Sequence, residues 1–403
     1  MDRTPLILIA GETLGLGGAE KVTVDLANVL HESGVFRVHV TASLTTGGLF
    51  ADDLMDGIPV SAVCSPQRLV ELCGKLRPDG ILLNNCSMAT TCIDEILAAH
   101  APAWLGFFLH GDSKYSMDLL PDAMPEMAEV LTISNEAKTG ILRQRPDIGR
   151  SAVGVLENCV DTKRFHPRDA GEEPAVSVWA KPHGPVFGYA GRFSGEKALV
   201  TMVDVFRRTK AKLPDAKLLL VGGADPAVSM RVQSWTAEQQ VIEQVIRQMG
   251  LTDSVHITGL VPNPEDYYRM MDVFLLTSHF EGLPLVLLEA MACGLPVVST
   301  AVGAVPRLLK HGAGIAVERE GLDLNESERE FFADRMVEIA TSSRRSEMGL
   351  VARRTVTHFH SEGQYRRAAL EYFAKRITAK GTGRLPYRDD PPDVRLVSAA
   401  AFG

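Results

Sequence analysis

Glu281 and Glu289 do not suit their surroundings. The stretch "HFEGLPLVLLEAMACGLPVVST" (279–300) is otherwise almost wholly apolar, and an unpaired buried carboxylate costs a sizeable part of a domain's net stability. Gly282 and Pro284 are poor residues for a helix interior, whereas Pro is favoured at the first helical position. The sequence predicts a helix that starts near Pro284 and runs to Cys293, with Gly294 as a left-handed stop and Pro296 beyond it. "PVVST" then reads as a short buried parallel strand. On this reading Glu281 sits on the loop before the helix and Glu289 lies within it. The amides of Leu283 and Leu285 would point out of the helix start, where the macrodipole favours an anion. A phosphate-bearing ligand with hydroxyls on either side suits this arrangement. The competing account is a buried helix whose two Glu each pair with a structural Arg or Lys.

Cations of the right kind occur elsewhere. In "GYAGRFSGEKAL" (188–199) Arg192 lies just past an apolar run and Lys197 at the start of the next helical pattern. At a strand's carboxyl end the two could neutralise a diphosphate; a solvated helix position is the alternative for Lys197. His110 ends the apolar run of "FFLHGDS"; a lone His is more often structural than catalytic. "GETLGLGGAEKVTVDLANVL" (11–30) follows the first strand, but G-x-G-x-x-G would need Gly at position 20, where Glu20 stands. "RVHVTASL" also lacks the acidic residue that would hold a ribose, which argues against a dinucleotide fold of the dehydrogenase type. What remains is a turn of Gly15, Gly17 and Gly18 that lets backbone approach a ligand, or simply closes a loop.

The elements that must position these groups alternate along the chain. Apolar runs at 6–10, 37–44, 80–85, 104–110 and 130–134 are separated by helical or polar sequence, as in a parallel sheet covered on both faces. "HPRDAGEEPAVSVWAKPHGP" (166–185) has the Pro-rich, acidic character of a linker. The alternation then restarts at 186–192, 217–223, 255–260 and 273–278, with helices near 196–213 and 236–250 between them. The expected organisation is an α/β chain of two doubly wound, Rossmann-like domains facing across a cleft: 1–165, a linker 166–185, and 186–360. A helix over 361–380 should pack back on the first domain, and 381–403 should form a flexible tail.

The 403 residues suffice for two cores. A formal charge of −8 argues against nucleic acid as a partner. Lys138, Arg143, Arg145 and Arg150 form a basic cluster, a solvated surface or a weak contact with anionic lipid. The N-terminal apolar run is too short for a signal-peptide core, no window is apolar and long enough for a membrane span, and the six cysteines lack metal-ligand spacing. They read as small core residues in a reducing compartment, so the cytoplasm is expected.

Taken together, "GGAEKVTVDLANVL", "VLTISNEAKTGIL", "NCVDTKRF", "GYAGRFSGEKAL", "LLLVGG", "ITGLVPNPEDYYRMMDVFLLTSHFEGLPLVLLEAMACGLPVVST" and "VGAVPRLL" resemble the retaining, nucleotide-sugar-dependent glycosyltransferases of the GT-B fold, glycosyltransferase family four. The resemblance spans about residues 5–375, and its E-x7-E block is the most specific part. It implies that Arg192 and Lys197 bind the donor diphosphate, with Gly17 and Gly18 against it. It further implies that Glu289 holds the ribose hydroxyls, that Glu281 contacts the donor sugar, and that His110 lies beside the reacting centre. Backbone around Gly259 and Val261 resembles the nucleobase-binding stretch, and Gly282, Leu283, Pro284 and Leu285 belong to the donor site. The chain departs from the pattern at Cys159, where a turn glycine is common, after Lys197, where a glycine often follows, and at Arg307, where an acidic residue is frequent.

The reading that results is a retaining transferase moving a hexose-type sugar from a nucleoside diphosphate, UDP by family frequency, to a hydroxylated acceptor. No cofactor and no metal are expected, since the chain has no D-x-D pair. Asn85, Ser87, Asp112 and Lys114, on loops at strand ends of the first domain, are the acceptor-binding candidates. A sugar-nucleotide epimerase or a phosphorylase of similar frame, and a non-catalytic nucleotide-sugar-binding protein, are the alternatives.

Overall fold

The computed structural model describes residues 4–15, 17–42, 50–169, 175–179, 183–223 and 234–377. The expected tail 381–403 and part of the expected linker lie outside them. Two parallel sheets dominate. The first contains β1 (Leu6–Gly11), β2 (Arg37–Ala42), β3 (Val60–Ala62), β4 (Gly80–Asn84), β5 (Trp104–Leu109), β6 (Ala128–Thr132) and β7 (Val153–Val155), in the order β3-β2-β1-β4-β5-β6-β7. The second contains β8 (Val186–Ala190), β9 (Lys217–Val221), β10 (Val255–Ile257), β11 (Val273–Leu276), β12 (Val297–Thr300) and β13 (Gly314–Val317), in the order β10-β9-β8-β11-β12-β13. This is the two-fold Rossmann-like plan that the alternation predicts.

Central strands such as β1, β4, β5, β8 and β11 are buried along their whole length, because helices cover both faces. β3, β7 and β13 escaped the sequence reading, and all three are sheet edges. Each is only three or four residues long and partly exposed, too short for a period to be read from the sequence.

The chain returns to the first sheet near residue 360, where the Val160 amide donates to the His360 carbonyl at 2.9 Å. The helix Glu362–Ile377 then lies against the first sheet. Trp104 meets Phe373 edge-on at 5.3 Å, and Tyr372 donates to Glu129 at 2.9 Å. Cys73, Cys86, Cys92, Cys159 and Cys293 are buried, but Cys64 is exposed and is no core residue. No helix among the described residues is long and apolar enough to cross a membrane.

Candidate active site

In each sheet the winding reverses at one place. The first sheet grows outward on both sides from the neighbours β1 and β4, and the second from β8 and β11. Loops that leave such a pair at their carboxyl ends run apart and open a crevice. The two crevices share one cavity of about 710 Å³. Much of its wall follows a switch-point strand or its neighbour: Glu12 and Thr13 after β1, Asn84 and Asn85 at the end of β4, and His110 after β5. From the second sheet come Arg192 and Lys197 after β8, and Glu281 after β11. Gly282, Leu283, Pro284, Leu285 and Glu289 complete that wall.

The helix of the E-x7-E block spans Leu285–Ala292. Pro284 keeps an extended backbone (φ −69°, ψ 123°) and caps the helix rather than opening its first turn. Its carbonyl accepts from the Leu287 and Leu288 amides at 3.2 and 3.3 Å. The amides of Leu285 and Val286 precede these bonds and donate to no described residue. Two donors at a helix start therefore border the cavity. Gly294, at φ 76°, ends the block as predicted.

The two carboxylates are held differently. Lys197 donates to Glu281 at 2.9 Å and the Ser278 hydroxyl adds a bond of 2.7 Å, so Glu281 does have a cationic partner. Glu289 instead accepts a bond of 2.7 Å from Tyr268, a phenol with no exposed surface. Burial raises the Glu289 carboxyl above its usual range, and the phenol only partly offsets this. Its second oxygen is available to a hydroxyl. Lys197 itself closes a 3₁₀ turn (Gly195–Lys197) ahead of the left-handed Ala198, so it precedes the helix Leu199–Lys212 instead of starting it. Arg192 lies 3.7 Å from Glu196.

Across the cavity, His110 lies over Phe108 (centroids 4.9 Å apart) and bonds through Nε2 to Asn84 Oδ1 at 2.6 Å. Burial lowers its imidazole to about 4, which keeps it neutral at physiological pH. Its carbonyl abuts Gly282, where a Cβ would stand 2.5 Å from that oxygen. Only glycine allows the two walls to approach this closely. Nearby, the Asn158 side chain donates to the Leu283 carbonyl at 2.8 Å. Gly17 is needed for a different reason than expected: the Glu20 carboxylate fills the space of its missing Cβ, at 2.1 Å. Gly18 is the glycine that faces the donor wall, its nearest neighbour being Leu285 at 3.8 Å.

Several expected residues lie elsewhere. Gly259 (φ 70°) accepts from the Gly222 amide and lies outside the cavity wall, which Leu260, Val261 and Pro262 form. Asp112 is exposed and packs on Gly140 of the helix Asn135–Gln144, and its carbonyl accepts from Gln144. Lys114 is exposed and does not line the cavity. Ser87 acts at one remove, donating to Glu12 through its hydroxyl and amide. Asn85 does line the wall, at the left-handed φ of 46°, and its buried Oδ1 has no partner among the described residues.

Glu12, Glu20 and Tyr115 line the wall and were missed. The signal is in the sequence: Glu20 is a carboxylate two residues past the glycine turn, where the fingerprint wants glycine. Both carboxylates bear on the Tyr115 phenol, which burial and their charge push up to about 12. Arg307 spans to the first domain, bonding to Glu136 at 2.9 Å and Glu157 at 2.7 Å, and touches no part of the donor wall. Cys159 has no positive φ, so its position requires no glycine. In the basic cluster Arg145 is paired with Asp147 and Lys138 bonds to the Val153 carbonyl, which leaves less free charge than the sequence suggests.

Residues 184–342 match the family described as "Glycosyl transferases group 1". Alpha-maltose-1-phosphate synthase of Mycolicibacterium smegmatis is 24% identical over 292 residues, covering 70% of this chain and 73% of its own length. A lipopolysaccharide core biosynthesis mannosyltransferase of Rhizobium meliloti is 28% identical over 54% of this chain, which spans only 60% of that relative. The Anabaena protein HepE, solved in complex with UDP-glucose, superposes with a TM-score of 0.71 at 18% identity, covering 92% of this chain and 99% of HepE. That likeness concerns the fold.

Proposed function

We infer that this chain, a GT-B glycosyltransferase whose residues 184–342 form a group 1 domain, moves a hexose-type sugar from UDP to a hydroxylated acceptor with retention of anomeric configuration. One observation carries the reading: both switch points open on one cavity, with Arg192, Lys197, Glu281 and Glu289 on one wall and His110 on the other. A sugar diphosphate laid on the second wall would meet cations and helix-start amides at its phosphates. It would meet Glu289 at the ribose and Glu281 at the sugar. Developing charge on the leaving diphosphate is then stabilised electrostatically by groups already in place, without a metal or other cofactor. Retention follows from the family resemblance, and UDP is supported by the HepE complex, which holds UDP-glucose.

The acceptor belongs against the first wall, where Glu12, Glu20 and Tyr115 converge. Carboxylates accept hydroxyl protons in charge-assisted bonds and repel phosphates, so a neutral polyhydroxylated acceptor fits this wall. The cysteine pattern, read as that of a reducing compartment, supports catalysis in the cytoplasm. An epimerase would act on the donor alone and would leave this wall unused. The test is incubation with UDP-sugars, with and without methyl glycosides and their 6-phosphates, while free UDP is measured. Acceptor-dependent UDP release, faster with the neutral compounds, is expected. Conversion of the donor into its epimer without UDP release would overturn the reading.

A further inference from the structure

The side chain of Asn84 is buried at the end of β4, and it joins three elements of the first wall. Its Nδ2 donates to the Ala19 carbonyl at 3.0 Å and to the Thr23 hydroxyl, both in the helix Gly18–Glu32. A carbonyl can only accept, so the nitrogen of the amide must face Ala19 and the oxygen must face His110. That oxygen lies 2.6 Å from His110 Nε2 and likewise can only accept. Nε2 therefore carries the imidazole proton, and the lone pair of the neutral ring resides on Nδ1. Nδ1 hydrogen-bonds to no described residue, and His110 lines the cavity.

We propose that Asn84 is a positioning residue for sugar transfer: anchored on Ala19, it fixes the Nε2–H tautomer of His110 so that Nδ1 accepts a hydrogen bond from a substrate hydroxyl. This rests on the glycosyltransferase reading above. His110 then acts as a neutral acceptor that orients a hydroxyl and donates no proton to the leaving group. The orientation of the Asn84 amide is set by the carbonyl of Ala19 in the first helical turn. Among metal-binding histidines, loss of the group that fixes tautomer and ring orientation costs roughly one to two orders of magnitude, and a loss of that order is expected here.

The proposal is tested by 15N-resolved NMR of the full-length protein at pH 8, with the His110 signals assigned by their loss in His110→Asn. A protonated Nε2 and an unprotonated Nδ1 are expected in the wild type, and the reverse pattern overturns the proposal. Asn84→Ala should give a mixture of tautomers and a kcat about 10–100-fold lower, with the Kd for UDP unchanged. Asn84→Asp keeps an acceptor for Nε2–H but loses the donor to Ala19, so it should keep the Nε2–H tautomer and lose less kcat than Asn84→Ala. Unaltered kcat in Asn84→Ala, or equal loss in both variants, overturns the proposal. An intact Nε2–H signal in a protein that transfers sugar from no donor overturns the glycosyltransferase reading, and the role of Asn84 with it.

Discussion

The ammonium of Lys197 lies 2.9 Å from the carboxylate of Glu281, and their side chains are only 17% and 7% exposed. Each group is thus a structural partner of the other as well as part of the cavity wall. Lys197→Ala should lower turnover by roughly 10²–10³-fold. It should also lower the unfolding free energy by about 1–3 kcal/mol, because Glu281 keeps only the Ser278 bond. A thermal melt checks the second part: Lys197→Ala/Glu281→Ala should be more stable than Lys197→Ala alone. Arg192→Ala should show a similar loss of turnover, and near-wild-type kcat in that variant would refute the diphosphate assignment.

Glu289→Ala should weaken UDP and a UDP-sugar alike, whereas Glu281→Ala should weaken the UDP-sugar and spare UDP. Glu289 lies inside the helix, held by Tyr268, and Glu281 lies on the loop before it. Calorimetry with both ligands on both variants decides the matter. Equal losses for the two ligands in Glu281→Ala would remove the division of roles.

Arg307 clasps the first domain through Glu136 and Glu157. All three side chains are partly exposed, at 39%, 32% and 25%, so solvent screens the pairs and each contributes about 0.5–1 kcal/mol. Arg307→Ala should widen the domain arrangement, and Arg307→Glu should do so further, since it sets three carboxylates together. Small-angle scattering should show a larger radius of gyration, smaller in effect at high salt for the Ala variant. An unchanged radius in Arg307→Glu would show that the clasp does not hold the domains.

His360 is 2% exposed, its Nδ1 lies 3.1 Å from the Asn158 carbonyl, and burial lowers the imidazole to about 4. Unfolded, it would titrate near 6.5. Between those values the unfolded chain binds the extra proton, so stability rises with pH across that window and is lost as pH falls through it. The contribution is of order 3 kcal/mol. His360→Gln should flatten the dependence of unfolding free energy on pH between about 4 and 6.5. The same slope in wild type and variant would assign the effect to other groups, His110 first among them.

Activity should survive excess EDTA with metal-free donor and acceptor. No group of three or more His, Cys, Asp or Glu suited to a metal occurs among the described residues. On the proposed reading, Arg192, Lys197 and the amides of Leu285 and Val286 would supply the positive field at the diphosphate. Loss of turnover that Mg²⁺ or Mn²⁺ restores would show that a metal takes part.

By itself the sequence determined the sheet pattern and the helix of the E-x7-E block. Both are written locally: central strands are continuous apolar runs, and the E-x7-E block carries its own cap, helix and glycine stop within 22 residues (279–300). The edge strands Val60–Ala62, Val153–Val155 and Gly314–Val317 were not legible, since half-exposed three- and four-residue strands have no period to detect. The tertiary structure alone decided which partner each polar group meets. Lys197 and Glu281 are distant in the chain and 2.9 Å apart in space, while Asn84, and not Asn85, orients His110. Asp112 looked like an acceptor residue by its loop and turned to a helix instead. Such pairings depend on where crossover loops converge at the two switch points, and that is set by the winding of whole sheets rather than by neighbours in sequence.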